Sequence, residues 1–167
     1  ELIDQTKLAL DNKKINSKNF TKQIAFNSIP HIDIFSNDGY TKEEMKMINE
    51  TKKILGKSIN VTATCVRVPV LVSHAESVNI EFEKEFTLEK VINLLENAEG
   101  CKVINEQKDG GYMTQLEAAG KDETFISRIR KDNTNEKAIN LWIVSDNLLR
   151  GAALNAVEIA EAYIKTK

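Results

Sequence analysis

Cysteine is scarce in this chain of 167 residues: only Cys65 and Cys101 occur, and their spacing suggests neither a zinc site nor a disulfide framework. An excess of one charge is also lacking. The formal net charge of −2 leaves no electrostatic footprint for nucleic acid or an anionic membrane. No apolar run approaches the roughly eighteen residues of a membrane span, and no charged-then-apolar leader precedes a cleavage site, so a cytoplasmic compartment is expected. No Gly-x-Gly-x-x-Gly follows a strand pattern, and there are no internal repeats or low-complexity segments. What remains, 41% hydrophobic and 29% charged residues, is ordinary for a globular protein and suffices for one buried core. A single domain over residues 1–167 is expected. The opening Glu1-Leu2-Ile3-Asp4 has no methionine and no capping approach, which reads as a fragment cut within a helix.

The stretch VTATCVRVPVLVSHAESVNIEFE, residues 61–83, concentrates the candidate chemistry. Residues 61–68 are dense in β-branched side chains and predict a buried strand, broken at Pro69, which cannot donate to a ladder. Further on, Val78, Ile80 and Phe82 alternate with Asn79, Glu81 and Glu83, the pattern of a strand with one face in the core. Arg67 and His74 are an odd number of positions apart, so an unbroken strand would point them to opposite faces. A turn at Pro69 or a bulge near it is needed if both serve one site. A guanidinium among valines is costly to desolvate unless it meets an anion, which is either a carboxylate of this chain or a ligand. His74 is either an ordinary polar residue near a strand end or an acid/base group.

Along the chain, residues 1–10 are weakly amphipathic and helical, and residues 12–22 form a polar loop rich in Asn and Lys. Residues 24–35 are apolar and irregular; His31 and Asp33 lie two apart there, with no third metal ligand nearby. After the turn at Asp38-Gly39, Thr41 and Glu44 have capping-box spacing and start a helix to about Leu55, with Met45, Ile48 and Leu55 as its buried stripe. Glu43 and Lys46 share one face of it, either as a solvated pair or as part of a site. Thr87 caps a second helix with Leu88, Val91, Ile92 and Leu95 on one face, ended by Gly100. Short strands follow at residues 101–104, at 125–131, where Phe125, Ser127, Ile129 and Lys131 alternate with Ile126, Arg128 and Arg130, and at 138–145. Asp146 or Asn147 caps a last helix to about Ile164, with a small-residue face at Gly151, Ala152, Ala153 and Ala156. This order predicts an α+β fold around one mixed, mostly antiparallel sheet.

At IPHIDIFSNDGYTKEEMK, TATCVRVPVLVSHAESVNIEF, AAGKDETFISRIRKD and NLWIVSDNLLRGAALNAVEIAE the chain resembles aspartate-semialdehyde dehydrogenase, specifically the C-terminal catalytic and dimerisation domain. The four segments, in the family's order, cover almost all of residues 24–162. The resemblance implies helices packed on one face of the sheet, as in the C-terminal domain of glyceraldehyde-3-phosphate dehydrogenase. It implies a homodimer or tetramer and an NADP-dependent enzyme of lysine, threonine, methionine and diaminopimelate biosynthesis. That enzyme converts β-aspartyl phosphate to L-aspartate semialdehyde and phosphate through a cysteine thioester. Carried over residue by residue, His74 matches the acid/base histidine and Arg67 the arginine that grips the substrate carboxylate. Glu43 matches the acceptor of the substrate ammonium, Lys46 a phosphate-binding lysine, and Asn147 the asparagine that touches the nicotinamide amide.

Four departures accompany the likeness. Neither Cys65 (Thr-Cys-Val) nor Cys101 (Gly-Cys-Lys) fits the family's Asn-Cys-Ser/Thr nucleophile. The nucleotide-binding half, which mainly binds NADP, and an upstream glutamine are missing, so the chain alone is expected to be inactive. Ser73 stands where a glycine is expected before the histidine. The alternatives are a non-catalytic dimerisation module and a reductase of another acyl phosphate such as N-acetylglutamyl phosphate; Glu43 speaks against the latter, because an acetylated amine carries no charge.

Overall fold

Reciprocal hydrogen bonds begin the longest helix. The Thr41 hydroxyl accepts from the Glu44 N–H at 3.3 Å, and the Glu44 carboxylate accepts from the Thr41 N–H at 2.8 Å. This capping box satisfies two otherwise orphaned donors and starts α2 (Lys42–Leu55) where its letters indicate. The computed structural model describes residues 1–166, which form two compact units, Glu1–Leu71 and a second from Val72 onward.

The first unit holds α1 (Leu2–Leu10) and α2 around a core that includes Ile24, Ala25, Ile29 and Ile48. Of the expected α2 stripe, Ile48 is buried and Met45 half-buried, but Leu55 is 67% exposed in the last turn. The polar loop after α1 is held through its backbone: the Glu1 carboxylate accepts from the Lys18 and Asn19 N–H groups, and the buried Gln5 Oε1 accepts from Ile24 N–H at 2.8 Å. Residues 61–68 do not form the buried strand that their composition suggests. Their pairing is confined to one antiparallel bridge, Ile29↔Arg67, and Val66 and Val68 remain exposed. Pro30 and Pro69 flank the bridge, and neither can donate the next ladder bond. The Val70 N–H instead donates to the Val68 carbonyl at 2.8 Å, a three-residue turn around Pro69.

The second unit is built on a mixed sheet of order β1-β4-β3-β2, from β1 (His74–Glu81), β2 (Cys101–Val103), β3 (Thr124–Lys131) and β4 (Ala138–Ser145). Two of its pairings are antiparallel and β2–β3 is parallel, the mixed, mostly antiparallel α+β sheet expected. α3 (Leu88–Glu96), capped by Thr87, lays Leu88, Val91, Ile92 and Leu95 against Ile126, Ile129, Ile139 and Leu141, where Val78, Ile80 and Phe82 of the β1 alternation also pack. Phe125 and Val144 belong to a second cluster with Met113 and with Ala118 of the four-residue helix α4 (Gln115–Ala118). The Trp142 Nε1–H closes it by donating to the Met113 carbonyl at 2.9 Å.

The alternation expected for β3 is interrupted. Between the pairs Ser127↔Trp142 and Arg130↔Asn140, β3 advances three residues while β4 advances two, a bulge at Arg128, whose φ is +55°. Ile129 therefore joins the cluster of Ile126 rather than that of Phe125. Asn105 fills the gap in the ladder: its Oδ1 accepts from the Ile129 N–H at 2.8 Å and its Nδ2 donates to the Ile129 carbonyl at 3.3 Å. Beyond β4 the first turn is π-helical, Leu149–Ala153, before α5 (Leu154–Lys165). The small residues Gly151, Ala152, Ala153 and Ala156 stay exposed. Among the described residues, no helix is long and apolar enough to cross a membrane.

Candidate active site

In the first unit the capping box fixes which carboxylate faces which way. Glu44 is buried, and besides capping α2 its Oε1 accepts from the Cys65 N–H at 2.9 Å. These backbone donors, Thr41 first and Cys65 next, hold the Glu44 carboxyl below the usual glutamate range. Glu44 thereby ties the start of α2 to the segment that carries Arg67 two residues later. Glu43 is left half-buried on the adjoining face, 3.4 Å from the Lys46 ammonium one helical turn on.

Arg67 is fixed through its backbone. Its N–H and carbonyl both bond to Ile29, each at 2.9 Å, while its guanidinium lies 5.6 Å from the Phe20 ring centroid. Among the described residues it makes no ion pair, and its side chain lines a cavity of about 290 Å³ with Asn19, Phe20, Thr21, His31 and Asp33. His31 stacks on Phe35, with ring centroids 4.4 Å apart, and its buried Nε2 has no hydrogen-bond partner. Among the described residues no group of three or more His, Cys, Asp or Glu side chains is placed to hold a metal ion.

The second unit carries His74 and Asn147. His74 is the first residue of β1, paired with Ser145 at the end of β4, and is exposed. Asp146 follows Ser145 and is buried; its Oδ2 accepts from Gly120 N–H at 2.7 Å and its Oδ1 from the Leu148 and Leu149 N–H groups. The Gly120 bond leads in holding the Asp146 carboxyl below the usual aspartate range. Neither Asp146 nor Asn147 is the N-cap, which is Leu148; Asp146 instead holds the turn that leads into the last helical segment. Asn147 turns the other way, and its Oδ1 accepts from the Ser73 N–H at 2.7 Å, directly before His74. Both cysteines are half-buried, Cys101 against the α3 cluster.

Glu43, Lys46 and Arg67 therefore belong to the first unit, His74 and Asn147 to the second. Three residues that support them are not evident as supports in the sequence: Glu44, Asp146 and Gln115, whose Nε2 donates to the Ser73 carbonyl at 3.3 Å. A signal for Gln115 is present in the letters. Thr114-Gln115-Leu116-Glu117 has capping-box spacing, and the Thr114 N–H and hydroxyl both donate to Glu117 Oε2 at 2.9 and 2.6 Å.

Comparison with known proteins extends over nearly the whole chain. Residues 1–150 match the family model described as semialdehyde dehydrogenase, dimerisation domain. The aspartate-semialdehyde dehydrogenase of Aquifex aeolicus is 47% identical over 167 residues, 99% of this chain and 49% of the relative, and that of Rickettsia bellii is 49% identical over 166 residues with the same coverages. The crystal structure of aspartate semialdehyde dehydrogenase II from Vibrio cholerae, complexed with ASA, superposes with a TM-score of 0.92 at 44% identity, covering 98% of this chain and 48% of that one. The chain spans about half the length of the curated relatives it matches.

Proposed function

Because the chain belongs to the semialdehyde dehydrogenase family, over its dimerisation domain, we propose that it is the C-terminal half of an aspartate-semialdehyde dehydrogenase. In this reading residues 1–167 are the catalytic and dimerisation domain of a cytoplasmic homo-oligomer. The intact polypeptide takes β-aspartyl phosphate to L-aspartate semialdehyde, releasing phosphate. The observation that supports the assignment to this chain's own residues is Arg67, an arginine anchored by two backbone bonds that lines a cavity and, among the described residues, makes no ion pair.

The chemistry follows from charge and donor type. A planar guanidinium gives a carboxylate two parallel charge-assisted hydrogen bonds, the role given to Arg67 toward the substrate α-carboxylate. Glu43 and Lys46 pair with each other across 3.4 Å, a partly exposed contact worth at most about 1 kcal/mol. An ammonium at Glu43 and a phosphate at Lys46 replace that contact at little cost. A cysteine outside this chain attacks the acyl carbon, the bond to phosphate breaks, and phosphate leaves. NADPH, bound mainly by residues outside this chain, supplies the hydride. His74 delivers the proton to the substrate oxygen as the tetrahedral adduct forms and takes it back as the adduct collapses to the aldehyde. Asn147 fits a nicotinamide carboxamide in one respect: its Oδ1 is occupied by Ser73, and its Nδ2 keeps the polarity that a carboxamide oxygen accepts from.

The test is His74→Asn in the full-length enzyme. Turnover falls by ~10² to 10⁴, the usual contribution of a positioned acid/base group, with the fold unchanged by circular dichroism. Turnover within about threefold of wild type overturns the role.

A further inference from the structure

Ser73 has φ +79°, a left-handed conformation that L side chains rarely adopt, and it is 4% exposed with its own hydroxyl unpartnered. Nothing in its side chain accounts for the conformation. Two other side chains do. Asn147 Oδ1 accepts from the Ser73 N–H at 2.7 Å, and Gln115 Nε2 donates to the Ser73 carbonyl at 3.3 Å. The first bond pins the peptide plane before the Ser73 Cα, and the second pins the plane after it, which ends at the Cα of His74. With both planes held, the backbone dihedrals of Ser73 are set, and so is the direction in which the His74 side chain leaves β1.

The supports of this arrangement are themselves braced. Asn147 follows Asp146, which is 3% exposed and takes three backbone N–H groups, from Gly120, Leu148 and Leu149. Gln115 opens α4, whose start is held by the Thr114 to Glu117 bonds. The β1–β4 ladder ends at His74↔Ser145, and the Asn147 amide oxygen then holds the N–H of Ser73, the residue just before that last pair on the β1 side. We propose that Gln115 and Asn147 are positioning residues, a two-sided clamp on the Ser73 backbone that aims the His74 imidazole. The proposal rests on the acid/base reading of His74, and Gln115 has no other part in that reading.

A double-mutant cycle in the full-length enzyme separates the two claims. The variants are His74→Ala, Gln115→Ala and their combination, read by kcat and KM for L-aspartate semialdehyde and by hydrogen exchange of the Ser73 amide. Misplacing a catalytic group commonly costs ~10- to 100-fold. Gln115→Ala is therefore expected to lower kcat about tenfold, to leave KM within about twofold and to speed exchange at Ser73. In the His74→Ala background it is expected to cost nothing further, because its effect passes through the imidazole. Gln115→Met, which keeps the bulk and removes the donor, is expected to behave like Gln115→Ala. If His74→Ala lowers turnover at least ~10²-fold while both Gln115 variants keep wild-type kcat, or lose the same factor with and without His74, the clamp is wrong and the acid/base reading stands. If His74→Ala retains turnover, the acid/base reading fails and the aiming role fails with it. Exchange at Ser73 then still decides whether the backbone clamp exists: unchanged protection in Gln115→Ala and Asn147→Ala denies it.

Discussion

Ser73 carries a left-handed backbone and a buried hydroxyl with no partner, and each costs stability. The conformation costs about 1–2 kcal/mol for an L residue, and an unsatisfied buried hydroxyl about 1–3 kcal/mol. Glycine avoids both, against an entropic penalty of only about 0.5–1 kcal/mol. Ser73→Gly is therefore expected to raise the melting temperature of the full-length protein by a few degrees, read by calorimetry; a fall would show that the hydroxyl is satisfied in solution. The residue identities at this locus were legible in the sequence, where Ser73 stood out against an expected glycine. The roles of its neighbours were less so. Ser-Asp-Asn suggests two candidates for the cap, but the helical segment starts from Leu148; Asp146 takes the Leu148 and Leu149 N–H groups of the turn leading into it, and Asn147 turns to Ser73. The arrangement is set by a contact between residues 74 positions apart, which no local pattern encodes.

Elements with strong periodicity or capping letters emerge where the sequence places them: α2 from the box at Thr41 and Glu44, β1 from the Val78 and Ile80 alternation, and β4 over residues 138–145; α3 starts at Thr87 with its apolar stripe but ends at Glu96, capped by Asn97, short of the expected Gly100. Departures arise where pairing rather than propensity decides. Residues 61–68 have strand composition but find one bridging partner between two prolines. The β3 bulge is invisible in the alternation because it depends on Arg128 adopting φ +55° and on Asn105 reaching the Ile129 backbone. α4 is too short for a periodic signal. The α2 box also makes a pH prediction. Glu44 has a folded-state pKa below its unfolded one, so its stabilisation is present in full above the unfolded glutamate pKa and is lost as pH falls through the folded value. Thermal melts of wild type and Glu44→Gln are expected to differ at neutral pH and to converge in acid, below the ordinary glutamate range. A difference that stays constant with pH would show that the carboxylate charge contributes nothing to the two backbone bonds.

Across the chain each candidate residue is braced by named bonds: Glu43 and Lys46 follow the capping box of α2, Arg67 bonds through its backbone to Ile29, His74 opens β1 of the sheet, and Asn147 bonds to Ser73. Apolar side chains nevertheless stay exposed, among them Leu71, Val157, Ile159 and Ile164. The most direct measurement of the central claim is a steady-state assay of the full-length protein, wild type and Arg67→Lys, for phosphate-dependent reduction of NADP by L-aspartate semialdehyde. The wild type is expected to turn over only when both phosphate and the aldehyde are present. Arg67→Lys is expected to raise KM for the aldehyde by at least ~10-fold, because an ammonium cannot reproduce two parallel bonds to one carboxylate. A wild-type protein that forms no NADPH from L-aspartate semialdehyde, or a lysine variant with unchanged KM, would contradict the account.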